Sequence, residues 1–289
     1  MKKSSINKLI IEKICLLIPL IIYAIYKNGY LIYQKHLISF IGIFKPLYLV
    51  LISILIKVGI DLIRYKKIKI DYNFVYVILI GMIMPYNINL LLYIILFIIF
   101  YILSLFLDKF IKVNKVCFIY LLIILIHFLF NDFTYLNPLE LNYSFSFEFL
   151  DYLAGRNIGG ISTTSIFLSL ISFIYLINNY YYKKDIPYVI NMSYLSLVFI
   201  YFVFSGNQNL LLNSELIFAS IFISPFSFYS PYRKITQIIF GAFIGCLTFV
   251  ISLIFNSIIA VYIATLIASL INSILSRQKV TKKALDNKL

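Results

Sequence analysis

The feature that most constrains this chain is a succession of long apolar runs separated by short clusters of basic residues. A helix rises about 1.5 Å per residue, so about 20 apolar residues cross the roughly 30 Å hydrocarbon core of a bilayer. On that scale the sequence predicts helices near 9–26, 38–60, 73–84, 88–107, 116–130, 161–178, 187–204, 216–228, 235–255 and 258–275. Composition agrees: 62% of the 289 residues are hydrophobic, 12% are charged, and mean hydropathy is +0.98. A soluble domain has about 45–50% apolar and about 25% charged residues. A soluble globular protein, a disordered chain and a disulfide scaffold are therefore excluded. The predicted class is an all-α integral membrane protein of about ten segments.

An even number of segments puts both termini on one side, and charge chooses the side. With a cytoplasmic N-terminus, the clusters at Lys66-Lys67-Ile68-Lys69, Lys109 to Lys115, Lys183-Lys184, Arg233-Lys234 and the tail from Arg277 all fall inside. Only Lys27, Lys35 and Arg156 fall outside, as the positive-inside rule requires. The net charge of +14 is thus read as topology, and no nucleic-acid partner is expected. The expectation is a multi-pass cell-membrane protein with both termini cytoplasmic, built as a first membrane half (1–130), an extracytoplasmic loop (131–160), a second half (161–275) and a basic cytoplasmic tail (276–289). No cleavable leader is expected, since no small-residue cleavage site follows the first apolar run.

Two predicted segments are too short to span comfortably. Residues 73–84 stop at Pro85, and residues 216–228 contain Pro225 and lead to Pro231. Proline-broken short segments at corresponding positions point to an internal repeat with two pseudo-symmetric five-helix halves and a midplane site. Within the spans, Glu12 and Lys13 are expected to snorkel from a helix start, and one of Lys45 and Lys57 to reach an interface. His127 is expected to be a hydrogen-bonded interfacial histidine, with a proton relay as the sharper reading. Cys15, Cys117 and Cys246 show no metal-binding spacing and are expected as small buried apolar residues. No nucleotide-binding loop, catalytic triad or HExxH occurs, so no catalytic residue is assigned.

The polar content that remains is concentrated in Arg156-Asn157-Ile158-Gly159-Gly160-Ile161-Ser162-Thr163-Thr164-Ser165, before the sixth predicted helix. Glycines allow close backbone approach, and hydroxyls with free helix N-terminal N–H groups suit a phosphate or a flavin edge. The plainer reading is a helix start with hydroxyl caps. At this segment the chain resembles the RnfD/NqrB family, the flavin-bearing membrane proteins of the Rnf electron-transport complex and its relatives. That family carries G-S-I-G-E-x-S here, of which Ile158, Gly159 and Ser162 are kept. Its second-half D-P-x-T-S-P stretch is matched by Ser224-Pro225-Phe226-Ser227-Phe228-Tyr229-Ser230-Pro231, followed by Gly241-Ala242-Phe243-Ile244-Gly245, and Met84-Pro85 echoes the first-half hairpin.

The resemblance implies a flavin-bearing subunit of an ion-translocating electron-transport complex, with other integral membrane subunits as partners. It also implies FMN esterified to the threonine of an S-G-A-T-P-L stretch. Here Asn137 precedes Pro138-Leu139, and an amide cannot form that phosphoester; Thr134 lacks the flanking pattern. Gly160 stands where the family has a glutamate. Bound FMN or riboflavin is therefore expected to be non-covalent, with contacts from Gly159, Gly160, Ser162, Thr163 and Thr164, and from Ser227, Ser230 and Pro231. Other readings are a small-solute or vitamin transporter and a non-catalytic scaffold subunit. Gly241 and Gly245, four apart, offer a close-packing face either to a partner subunit or to the other half of the chain.

Overall fold

The computed structural model describes residues 3–108, 110–130, 135, 153–155, 157–205, 213–226, 229–255 and 257–286. Among the described residues every regular element is a helix. Helix α1 (Lys3–Ile25) runs through a π-helical turn (Tyr26–Tyr30) into the short α2 (Leu31–Gln34). A 3-10 turn (Phe40–Phe44) leads into α3 (Lys45–Tyr65), followed by α4 (Tyr72–Ile83), α5 (Leu90–Leu107) and α6 (Lys115–Leu129). The second part holds α7 (Ile166–Ile177), α8 (Asp185–Ser205), α9 (Ser214–Phe222), α10 (Lys234–Ile254) and α11 (Ser257–Asp286). Among the described residues six stretches are long and apolar enough to cross a bilayer: Lys8–Gln34, Phe40–Tyr65, Leu90–Leu107, Asp185–Ser205, Lys234–Ile254 and Ser257–Ser276. The chain is a multi-pass membrane protein.

Helix ends in lipid must satisfy their own backbone groups, because no water is at hand to do so. Asparagines meet that need at three starts. Asn89 accepts from the Leu91 and Leu92 N–H groups (3.0 and 3.3 Å), and Asn213 from those of Glu215 and Leu216 (3.0 and 3.3 Å). Asn114 caps α6 through the Cys117 N–H, while its amide donates to the Ile223 carbonyl (3.2 Å) and so also ties down the break after α9.

Two of the shorter helices, α4 and α9, are the most deeply enclosed. Val75 to Ile83 of α4 are all buried, as are most residues of α9. An all-round apolar helix belongs inside a bundle. The long helices α5, α8 and α10 turn Ile98, Phe199 and Ile239 outward to the lipid.

Several expectations are corrected. Helix α7 begins at Ile166, not at 161, because residues 161–165 dock as non-helical backbone. Helix α9 stops at Phe222, ahead of Pro225, since the residue before a proline is pushed out of the helical region. Cys15 and Cys246 are exposed on outward faces, and only Cys117 is buried. Lys13 does not snorkel: it is 1% exposed, and its ammonium lies 4.0 Å from the Phe226 ring centroid and 5.7 Å from that of Tyr182. Lys57 is likewise buried, because the 66–71 turn folds over it and Asp61 (2.6 Å) and Asp71 (3.5 Å) pair with it. Lys45 is the less enclosed of that pair, with its ammonium over the Tyr86 ring. The small-residue face of α10 is spent inside the molecule: a Cβ on Gly241 would meet the Ile186 carbonyl of α8 at 3.1 Å, and one on Gly245 the Ile190 carbonyl at 2.6 Å.

Candidate functional site: a buried carboxylate between broken segments

Residues 159–165 reach α7 by docking on the end of α4. The Ile161 N–H donates to the Met84 carbonyl (2.8 Å) and the Ser162 N–H to the Met82 carbonyl (3.0 Å), satisfying groups that the helix end leaves open. Only glycine fits at 160, where a Cβ would lie 2.7 Å from the Ile83 carbonyl oxygen.

A carboxylate completes the arrangement from the other half of the chain. Glu215, in the first turn of α9, is 0% exposed. Its Oε1 accepts from the Gly160 N–H (2.6 Å) and from the Thr163 hydroxyl, and its Oε2 accepts from the Tyr262 hydroxyl of α11. Its position at a helix N-terminus also suits negative charge. On the opposite flank the π-helical turn contributes Lys27, whose ammonium donates to the Gly155 carbonyl (2.5 Å) and to Thr164 Oγ1 (3.4 Å). Asn28 donates to the Ile161 carbonyl (2.6 Å). Lys27, read from sequence as an outer-loop residue, is 6% exposed; the helix simply runs on past it. Adjacent threonines thus join a buried cation to a buried anion. Beyond Tyr262, the Tyr120 ring lies 4.5 Å away between centroids, and the Tyr120 hydroxyl meets that of Tyr135 at 2.5 Å.

The second break is built differently. Tyr72 and Tyr76, at the start of α4, meet Phe226 edge-on at 5.9 and 4.6 Å, and Tyr76 contacts Tyr229 at 5.9 Å. Lys13 sits over the Phe226 face, and Lys183 donates to the Ser230 carbonyl and hydroxyl, both at 2.8 Å. Ser230 Oγ in turn donates to the Phe226 carbonyl (2.7 Å).

The sequence-predicted site residues therefore divide. Gly159, Gly160, Ser162, Thr163 and Thr164 gather around Glu215, whereas Ser230 and Pro231 belong to the break that follows α9, beside Lys183. Ser227, Asn137, Thr134 and Arg156 lie outside the described residues. His127 is buried, with Nδ1 3.0 Å from the Ile123 carbonyl of its own helix. Sequence reasoning misses Glu215 itself: flanking the 216–228 run, it leaves no mark as an intramembrane acid. The available signal is an acidic residue two positions after an Asn cap, at the head of a short proline-terminated apolar segment.

The model of the NQR2, RnfD, RnfE family matches residues 1–284. The chain belongs to that family. No curated protein matches it. The family's flavin can be weighed against these residues. Around 159–164 the Gly160, Ile161 and Ser162 N–H groups are already bonded to protein acceptors, and the segment lies between the Glu215 carboxylate and the Lys27 ammonium. Those three donors are therefore taken, and the Lys27 ammonium beside them is held by the Gly155 carbonyl and Thr164. The glutamate that resemblance places in this stretch is replaced by Gly160, yet Glu215 Oε1 stands 2.6 Å from the Gly160 nitrogen.

Proposed function

We propose that this chain is a membrane subunit of an Rnf- or Nqr-type electron-transport complex, working among other integral membrane subunits in an ion-translocating assembly. The family match over residues 1–284 carries this reading. The four shorter helices α4, α6, α7 and α9 complete ten segments with the six long spans, in two pseudo-symmetric halves broken after α4 and α9. Both termini lie in the cytoplasm, on the charge asymmetry of the sequence. Accessibility labelling tests the orientation: a cysteine at position 67 reacts from the cytoplasmic side and one at 140 from the outside, and the reverse overturns it.

Any flavin on this chain is non-covalent, because Asn137 stands at the position of the esterified threonine. The break beside Ser230 and Pro231 is the better seat, since the 159–164 backbone donors are turned to Glu215 and α4, while Lys183 brings a cation beside Ser230 for a phosphate or an electron-rich ring edge. Co-purification from native membranes tests the assembly, with partner subunits expected. FMN or riboflavin should be released by denaturation, leaving the SDS-gel band without fluorescence. Fluorescence retained in that band overturns the non-covalent reading. Partner subunits without flavin favour the scaffold role, and recovery alone favours the transporter.

A further inference from the structure

We propose that Glu215 is a proton-exchange site, a carboxyl that takes up and releases one proton in place within the apolar body of the protein. The inference stands apart from complex membership and rests on the partners of the two carboxyl oxygens. Among the described residues, Oε1 faces the Gly160 N–H and the Thr163 hydroxyl, and Oε2 faces the Tyr262 hydroxyl alone. A backbone N–H can only donate, which fixes Oε1 as an acceptor in both protonation states. A phenol both donates and accepts. The proton therefore belongs on Oε2: the ionised group accepts from Tyr262, and the neutral acid donates to the same oxygen once that hydroxyl turns. Both states keep a hydrogen bond between Oε2 and the Tyr262 oxygen with no backbone movement. Each turnover moves one proton between water and Oε2, and no electron.

Two further features suit exchange. Ser162 Oγ and Ser214 Oγ, in segments that carry Glu215 and its donors, are buried without a hydrogen-bond partner among the described residues, leaving hydroxyl capacity beside the carboxyl. Tyr262, then Tyr120 and Tyr135, extend the polar path towards the 131–160 stretch. Among the described residues the titratable groups around Glu215 are Tyr262 from α11, Tyr120 from α6, Tyr135, and Lys27 across the Thr163-Thr164 pair. Lys27 reaches this group through Thr164, the neighbour of the Thr163 that donates to Oε1.

The test uses the purified full-length chain in lipid nanodiscs. Infrared difference spectra across roughly pH 5 to 9 should show a protonated-carboxyl band that falls as pH rises and is absent in Glu215→Gln. Dicyclohexylcarbodiimide, which attacks buried protonated carboxyls, should label the peptide that contains Glu215, less at the high-pH end. Tyr262→Phe removes the donor to Oε2 and should move the midpoint up by about one pH unit, because it weakens the ionised form. A carboxyl band unchanged in Glu215→Gln, or carbodiimide label found only elsewhere, overturns the proposal. Should Glu215→Gln fail to fold, label mapping on the unmodified chain and the Tyr262→Phe shift still decide it.

Discussion

Helix α4 touches both broken segments, and its two ends solve the same problem with different chemistry. At its C-terminal end the chain from the second half comes in as bare backbone, closing Met82 and Met84 with N–H groups and anchoring on Glu215. At its N-terminal end Tyr72 and Tyr76 receive Phe226 and Tyr229 edge-on, and two lysines complete the cluster. Directional hydrogen bonds hold one end, and ring packing with cation–π contact holds the other. The first arrangement tolerates almost no change in shape, while the second can repack. Backbone docking needs glycine and a fixed acceptor; an aromatic cluster needs only volume and a ring face.

The largest expected effect breaks the hydrogen-bonded end. Glu215→Ala leaves the Gly160 N–H and two hydroxyls buried without an acceptor, at a cost of about 3–5 kcal/mol by analogy with stripping one partner from a buried charged pair. Thermal unfolding in detergent should show a large drop, and Glu215→Gln, which keeps an acceptor oxygen, a smaller one. Equal losses for the two variants would remove the hydrogen-bond argument. Gly160→Ala comes next. Its new methyl would lie 2.7 Å from the Ile83 carbonyl, so the segment must lift off α4, at about 1–3 kcal/mol. Gly59→Ala, inside α3 where a Cβ would meet nothing within 4 Å, is the control and should lose no stability and gain up to about 1 kcal/mol.

The aromatic end should yield less. Phe226→Leu keeps the apolar volume but removes the edge-on contacts to Tyr72 and Tyr76 and the face beneath Lys13, for about 1–2 kcal/mol. A loss as large as that of Glu215→Ala would mean the two ends do not differ as described.

How far the sequence discloses this comparison depends on the signal each end leaves. Periodicity and length suffice for the long spans, because the bilayer sets their length independently of any partner. The 159–164 segment stands out through its glycines and hydroxyls, but its partner does not: Glu215 is 55 residues from Gly160, and only folding brings them together. Lys13 and Lys57 mislead for a related reason. Snorkelling is the default for a lysine near a helix end, and it is overridden only when a ring or carboxylate from a distant segment closes over the ammonium. The glycine pair in α10 is legible as a packing face, yet sequence is silent on whether the neighbour is α8 or another chain.

The smallest effect concerns Lys183, which lies in the turn between α7 and α8, outside the spans, and bonds to Ser230 at the aromatic end. Burial pulls its ammonium down to about 8 from the ordinary lysine value of 10.5, outweighing its two hydrogen bonds to Ser230. The folded form therefore releases this proton before the unfolded form does. Between those two values the unfolded state binds more protons, so stability should rise as pH climbs from about 8 towards 10.5, while the penalty is fully present below about 8. Lys183→Gln should flatten that rise relative to the unmodified chain, read as the difference in unfolding midpoint at two pH values so that shared tyrosine titration cancels. A rise of the same slope in the variant would assign it to another group. A steeper rise in the variant than in the unmodified chain would show that the bonds to Ser230, not burial, dominate at this lysine.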